Sequence, residues 1–307
     1  MAISPREWWS LVKTSIGAWS DDYAPSMGAA IAYYTVFSLA PLLLLVIAVA
    51  GFFFGREAVQ GEVVGQIQGL MGQEGAVAVE GLLKSASEPQ TSAIAAIASI
   101  LLLIFGATTV FAEIQNALDR IWKVPAARKP AGVWGFIRTR LLSFGLVLGL
   151  AFLLLVSLIV SAAVAALGTW WGQYFEGQEA LLQLVNLVVS LVLSTALFSM
   201  IYKLMPRTPI AWRDVWIGAT VTAVLFEIGK FLIGLYLGKS GVTSGFGAAG
   251  SLAVLLIWVY YSAQIFLLGA EFTRAYALAH GSGHEPSANA TSQENRRQRR
   301  ELRRVAS

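Results

Sequence analysis

Long apolar stretches dominate the pattern of this sequence, and six of them are long enough to cross a membrane. A transmembrane helix needs about 20 predominantly apolar residues with few charges. The six stretches are Gly28 to Phe54, Thr91 to Phe111, Leu141 to Leu167, Leu181 to Leu204, Val215 to Leu237 and Ser251 to Phe272. The pattern therefore predicts an all-α fold, a polytopic membrane bundle of six transmembrane helices over residues 28–280.

The segment before the first span, residues 1–27, has the pattern of a short amphipathic helix. Four apolar residues recur at spacings of three and four and would share one helical face; they are Trp8, Val12, Ile16 and Trp19. Pro5 suits a first helical position. Tryptophan favours the headgroup boundary, so we predict an interfacial helix on the inner leaflet. A helix that packs on protein is the open alternative.

Two further segments lie outside the spans. The loop at residues 56–89 contains apolar residues at helical spacing and several glutamates, and it predicts an external helical hairpin between spans one and two. The tail at residues 281–307 is polar and ends in a cluster of arginines, so it lacks the apolar content for a core. We predict a disordered basic cytoplasmic tail.

The positive charges fall into alternate gaps between the spans. The second gap holds six of them, the third holds none, and the fifth holds Lys239 alone. Cationic loops face the cytoplasm. The distribution predicts that both termini are cytoplasmic, which agrees with an even number of spans.

Composition supports a membrane protein and narrows the chemistry. Hydrophobic residues make up 56% of the chain and charged residues 13%, against about 25% charged residues in a soluble domain. Cysteine is absent, and the only histidines are His280 and His284, near the tail. Because no metal-ligand spacing or Ser-His-Asp set is present in the spans, we expect no catalytic residues, no metal, no cofactor and no enzymatic activity. The cations sit where topology requires them, so nucleic acid is an improbable partner.

Charged residues inside spans are the default functional candidates in a membrane protein. Glu227 and Lys230 lie in the fifth span, three residues apart, and therefore on one helical face. Two interpretations stay open: a polar lining of a substrate path or proton-linked gate, and a structural ion pair that locks this span to its neighbours.

Other polar residues extend the candidate path. They are Glu271 and Gln264 in the sixth span, Glu113 at the end of the second, and Tyr33 in the first. Boundary residues that reach water, or tyrosines that pack between helices, are the competing interpretations. The spacing of Gly234 and Gly238 predicts a close helix approach in the fifth span.

Several short runs resemble the YihY/BrkB family of six-span bacterial inner-membrane proteins. They are Ala32-Tyr33-Tyr34, Phe37-Ser38-Leu39-Ala40-Pro41, Phe105-Gly106-Ala107, Phe111-Ala112-Glu113, Leu225-Phe226-Glu227-Ile228-Gly229-Lys230, Gly247-Ala248-Ala249-Gly250-Ser251, Trp258-Val259-Tyr260-Tyr261-Ser262-Ala263-Gln264 and Gly269-Ala270-Glu271-Phe272. The resemblance implies an all-helical, multi-pass protein of the bacterial inner membrane. It implies no settled activity: members have carried the label ribonuclease BN, and transport of an amphiphile or lipid is a proposed role within the resemblance.

Three functions follow as hypotheses. The first is transport or flipping of an amphiphile or lipid through a polar path between helices. The second is a non-transporting scaffold or envelope-regulating protein, and the third is a membrane-tethered ribonuclease, which the missing metal ligands disfavour. The expected partners are membrane lipids, an amphiphilic substrate, and anionic lipid headgroups at the C-terminal tail. The oligomeric state stays open.

Overall fold

The computed structural model describes part of the chain as a set of helices. The described residues are 4–86, 106, 109–125, 145, 149, 152, 179–239 and 249–281. Their helices are α1 (Pro5–Asp21), α2 (Ala24–Phe54), α3 (Arg56–Ala86), α4 (residues 109–121), α5 (Glu179–Leu204), α6 (Trp212–Lys239) and α7 (Gly250–His280). No strand occurs in these ranges, which agrees with the predicted all-α class.

Four of the described helices are long and apolar enough to cross a membrane. The apolar segments are Ala24–Phe52 in α2, Leu184–Leu204 in α5, Trp212–Leu237 in α6 and Gly250–His280 in α7. Each coincides with a predicted span, so four of the six spans are confirmed as candidate membrane helices. Most of the predicted spans at 91–111 and 141–167 and the tail at 282–307 lie outside the described residues, and the count of six stays a prediction.

Helices α5, α6 and α7 pack in antiparallel order around a buried polar contact. The Tyr202 hydroxyl of α5 donates to the Phe266 carbonyl of α7 at 2.7 Å and lies 3.1 Å from the Thr222 hydroxyl of α6. Gly269 of α7 lies against Thr222, and Gly218 of α6 lies against Thr273. These two glycines allow the helices to approach closely.

Of the two glycines predicted to mediate a close approach in α6, Gly234 does not do so in the described part of the chain. A Cβ atom added at Gly234 would meet nothing within 4 Å. Gly229 instead faces Tyr261 and Ile265 of α7. The prediction for Gly234 was wrong because glycine spacing alone does not tell which side of α6 faces a neighbour.

Helix α3 contains two arms that meet at Gly72, where φ is +76°. Glycine adopts this conformation without the penalty that a Cβ atom imposes. Val59 and Val63 of the first arm and Val79 and Leu83 of the second are buried in one cluster with residues of α2 and α7. The arms agree with the predicted helical hairpin, and their location outside the membrane stays a prediction.

Helix α1 begins at Pro5, as predicted, and part of its predicted apolar face packs on protein: the Trp8 ring stacks on Phe272 of α7, and Trp19 packs against the core. The Ser4 and Glu7 side chains cap each other's backbone N–H groups, and the bonds from Ser4 lower the pKa of Glu7. Leu11 packs with residues of α7 and is buried, whereas Ile16 is 51% exposed. The predicted alignment of Ile16 with Trp8 is therefore wrong for the packed face. Contact with the membrane interface stays a prediction.

The polar ends of several helices meet at one end of the bundle. Asp22, after α1, forms an ion pair with Lys123, after α4. Asp119 of α4 pairs with Arg207, after α5, at 2.6 Å. These are the helix ends that the charge pattern assigns to the cytoplasm. We call this end of the bundle the charged end, and its orientation in the membrane stays a prediction.

Candidate functional site

The predicted charge pair in α6 forms an ion pair and gains a partner from α5. Lys230 Nζ lies 2.6 Å from Glu227 Oε2. The Ser190 hydroxyl donates to Glu227 Oε1 at 2.6 Å, and Lys230 Nζ lies 3.5 Å from the same hydroxyl. We call Ser190, Glu227 and Lys230 the mid-bundle cluster. Its three polar groups satisfy one another across the α5–α6 contact.

The mid-bundle cluster lies near the centre of a predicted span and is not sealed. At about 1.5 Å per residue, Glu227 lies about 22 Å from the start of a helix about 42 Å long. The side chains of Lys230 and Glu227 keep 22% and 15% of their surface exposed. Ile228 and Phe231, which flank the pair on α6, are 54% and 72% exposed. A charged patch therefore adjoins an open apolar surface.

Glu271 lies in a second polar site, at the charged end of the bundle. Glu271 is 1% exposed, and neither of its carboxylate oxygens has a hydrogen-bond donor among the described residues. Asp22 lies within reach of this carboxyl, and Lys123 and Arg274 are close enough to act on it electrostatically. We call Asp22, Lys123 and Glu271 the acid cluster. It joins α7 to the turn between α1 and α2.

Gln264 lies two helical turns before Glu271 and therefore on nearly the same side of α7. Both atoms of its amide are buried, and neither has a hydrogen-bond partner in the described part of the chain. A Cβ atom at Gly28 of α2 would overlap with this amide. Polar groups that lack partners therefore follow the seam between α2 and α7.

The remaining candidates lie apart from both clusters. Tyr33 is 57% exposed, and its ring contacts Tyr34 and Phe37 of its own helix. Glu113 is half-buried on α4. The predicted path residues are thus divided: Glu227 and Lys230 face α5, whereas Glu271 and Gln264 face α2 and the turn that precedes it.

A third charged contact at the charged end is sealed and fully paired. Asp119, whose side chain is 0% exposed, accepts from the Arg207 backbone N–H at 2.9 Å and from its guanidinium at 2.6 Å. Arg207 also donates to Gln115 at 2.8 Å, and Gln115 donates to the Met205 carbonyl at 2.7 Å. Every charged group here has a partner, as expected for a structural lock.

Three residues of the mid-bundle cluster and the acid cluster were not predicted from the sequence: Ser190, Asp22 and Lys123. Each contacts its partner from another helix or turn, and spacing along one helix carries no signal for such contacts. Ser190 was detectable only as a polar residue within a span. Within the described ranges, no group of three His, Asp or Glu side chains could hold a metal ion.

The helices and their buried polar contacts define a polytopic α-helical membrane protein, and comparison with known proteins gives its family. The family described as virulence factor BrkB matches residues 15–294. A UPF0761 membrane protein of Stenotrophomonas maltophilia (strain K279a) is 31% identical over 264 residues, which cover 84% of this chain and 58% of the relative. A UPF0761 membrane protein of Ralstonia nicotianae is 28% identical over 252 residues, covering 81% and 55%.

The chain belongs to the BrkB family, as its sequence resemblance predicted. A third relative, a UPF0761 membrane protein of Pseudomonas aeruginosa (strain LESB58), is 30% identical over 256 residues, which cover 81% of this chain and 58% of the relative. The chain thus spans a little over half the length of these curated relatives. No solved structure matches the chain significantly.

Proposed function

We propose that this membrane protein moves an amphiphile or lipid across the bilayer, along a polar path beside the α5–α6 contact. The observation that supports this proposal is the mid-bundle cluster. Its ion pair lies near the middle of a candidate membrane helix, keeps part of its surface exposed and adjoins the exposed side chains of Ile228 and Phe231. Charges are rare at that depth and, where they occur, commonly serve a polar path.

The cluster suits a molecule with a charged head and an apolar tail. Lys230 can exchange its contact with Glu227 for one with an anionic head group, while Ser190 keeps Glu227 hydrogen-bonded. The apolar side chains beside it can accompany the tail. The protein in this proposal is a transporter without enzymatic activity, and it needs no cofactor.

Reconstitution tests the proposal. The purified protein is placed in proteoliposomes with a fluorescent phospholipid, and quenching from outside measures the fraction that changes leaflet. We expect the wild type to accelerate the exchange and the double variant Glu227→Gln/Lys230→Met to lose that acceleration. The exposed residue Glu57 supplies a matched control, Glu57→Gln, which should behave as wild type. Equal exchange by the double variant and wild type would refute the role of the cluster.

The proposed location is the bacterial inner membrane, with both termini in the cytoplasm. A reporter that is active only outside the cytoplasm should be active when fused after Gln73 or Gln173. It should be silent after Arg128 or at Ser307. Activity at Ser307 would overturn the orientation and the even number of spans.

A scaffold that works from the membrane surface is the second candidate, and α1 favours it. Trp9 is 62% exposed, and the Lys13 ammonium lies 5.5 Å from the centre of its ring. Aromatic and cationic side chains of this kind suit the headgroup boundary. The double variant Trp9→Ser/Lys13→Ser should impair this function while lipid exchange in proteoliposomes stays at the wild-type rate. If it abolishes exchange instead, α1 belongs to the transport machinery.

A further inference from the structure

The acid cluster at the charged end has a buried carboxyl group to which no described residue donates a hydrogen bond. We propose that Glu271 and Asp22 form a proton-binding site, in which one proton is held between the two carboxyl groups. The site lies where α7 meets the turn between α1 and α2. The inference is independent of the proposed transport, because it concerns the state of the folded protein.

Burial separates the Glu271 carboxyl group from solvent. The residue is 1% exposed, and both of its carboxylate oxygens lack donors among the described residues. An ionised carboxylate that has lost its water without gaining donors is strongly disfavoured, and such a group neutralises instead. A protonated carboxyl removes this cost and turns one acceptor oxygen into a donor.

The Asp22 carboxylate supplies a hydrogen-bond acceptor for Glu271. Asp22 is 8% exposed and lies within hydrogen-bonding reach of Glu271. Two ionised carboxylates offer only acceptors and repel each other, so a hydrogen bond between them requires one proton. A proton on Glu271 would be donated to Asp22, whose carboxylate also forms an ion pair with the Lys123 ammonium.

The surrounding charges favour one proton over an ionised pair of acids. The titratable and charged groups that act on Glu271 are Asp22 from the α1–α2 turn, Lys123 from the segment after α4, and Arg274 from α7 itself. The Lys123 ammonium already forms an ion pair with Asp22. Arg274, which is half-buried, makes no hydrogen bond to either Glu271 oxygen. Neither cation therefore donates a hydrogen bond to Glu271, and a proton shared with Asp22 would supply the missing bond.

A metal ion fits this gap less well than a proton. Calcium takes about 6–8 oxygen ligands and magnesium about six. The described residues bring two carboxyl groups together here, and the Lys123 ammonium already occupies one side of Asp22. A second cation would be repelled by this ammonium, whereas a proton needs no more space than a hydrogen bond.

The backbone beside the cluster is held in an unusual conformation. Tyr23, which follows Asp22, has φ of 58°, and Lys123 has φ of 50°. In the described part of the chain these are the two residues other than glycine with positive φ. Such conformations persist where surrounding contacts enforce them. A proton that joins Glu271 to Asp22 would supply such a contact, and its loss would loosen the attachment of the turn to α7.

Infrared spectroscopy of the full chain in nanodiscs tests the site directly. At neutral pH the wild type should show the C=O stretch of a protonated, buried carboxylic acid, and the band should shift when glutamate is labelled with carbon-13. The band should disappear in Glu271→Gln and persist in the matched control Glu227→Gln, whose carboxylate is ion-paired. Persistence of the band in Glu271→Gln, or no glutamate band in the wild type, would overturn the proposal.

Thermal melting supplies the second readout. Glutamine resembles a protonated glutamate, so Glu271→Gln should melt close to the wild type, whereas Glu271→Ala should melt well below it because Asp22 loses its donor. Failure of Glu271→Gln to fold would count against the site, since a neutral side chain would then not suffice. Lipid exchange plays no part in either measurement, so the proton site and the proposed transport can fail separately.

Discussion

The mid-bundle cluster and the acid cluster differ in how their buried charged groups are paired. In the mid-bundle cluster, opposite charges lie 2.6 Å apart and a serine from the next helix completes the contact, while part of the surface remains open. In the acid cluster, Glu271 is sealed and has no hydrogen-bond donor among the described residues. The first site is neutral by itself and accessible, whereas the second contains a buried carboxyl group that no described donor stabilises.

Sequence alone places the charged residues of both clusters in one candidate path, whereas this difference indicates two separate roles. A partly open ion pair can exchange partners with an incoming head group, because the Ser190 hydroxyl keeps Glu227 hydrogen-bonded when Lys230 turns to the head group. A sealed acid without a partner can change its charge only by gaining or losing a proton. We therefore expect the mid-bundle cluster to respond to substrate and the acid cluster to respond to pH.

The largest loss of stability should follow disruption of the buried ion pair between Asp119 and Arg207. This pair provides a reference against which the stability effects at both clusters can be compared. Arg207→Met leaves the Asp119 carboxylate buried without its charged partner, and removal of one member of a buried pair costs about 3–5 kcal/mol. Reversible unfolding in detergent micelles measures the loss. Asp119→Asn/Arg207→Met should recover part of it, and wild-type stability of the single variant would show that water reaches Asp119.

The mid-bundle pair should be weaker than this lock because it is partly exposed. We expect Glu227→Ala or Lys230→Ala to cost about 1–3 kcal/mol, below the range for a sealed pair. Glu227→Gln/Lys230→Met should restore most of the stability, because no unpaired charge remains. The same unfolding assay gives the coupling between the two sites. A double variant as unstable as the sum of its singles would contradict the pairing.

The sequence predicted four of the observed helices well because apolar length is a local property. The spans Val215 to Leu237 and Ser251 to Phe272 lie within α6 and α7, and the partner of Glu227 followed from helical spacing. Contacts between helices were not accessible in this way. The proximity of Asp22 to Glu271 joins residues far apart in the chain, and the choice of Gly218 over Gly234 depends on the direction in which α6 faces.

Added volume at the seam that leads from Gln264 to the acid cluster should be destabilising, because the buried Gln264 amide has to move to admit it. Gly28→Ala would place a methyl group against the Gln264 amide, and overpacking of this kind costs about 1–3 kcal/mol. Gly17→Ala in α1 is the matched control, because nothing lies within 4 Å of its added Cβ atom. That control should be neutral or slightly stabilising. Equal stability of the two variants would show that α2 and α7 can separate freely at Gln264.

The smallest effect should come from Ser190→Ala, which removes the α5 contribution to the mid-bundle cluster. Glu227 loses the 2.6 Å hydrogen bond from this serine but keeps Lys230, so the stability cost should be about 1 kcal/mol. In proteoliposomes, the rate of lipid exchange should fall by more than the stability loss suggests. Without the serine, Lys230 would hold the Glu227 carboxylate more tightly and bind a head group less readily. Ser199→Ala is the control, since that hydroxyl bonds within its own helix to the Ala196 carbonyl. If both serine variants exchange lipid at the same rate, Ser190 is a structural contact and the proposed path does not use it.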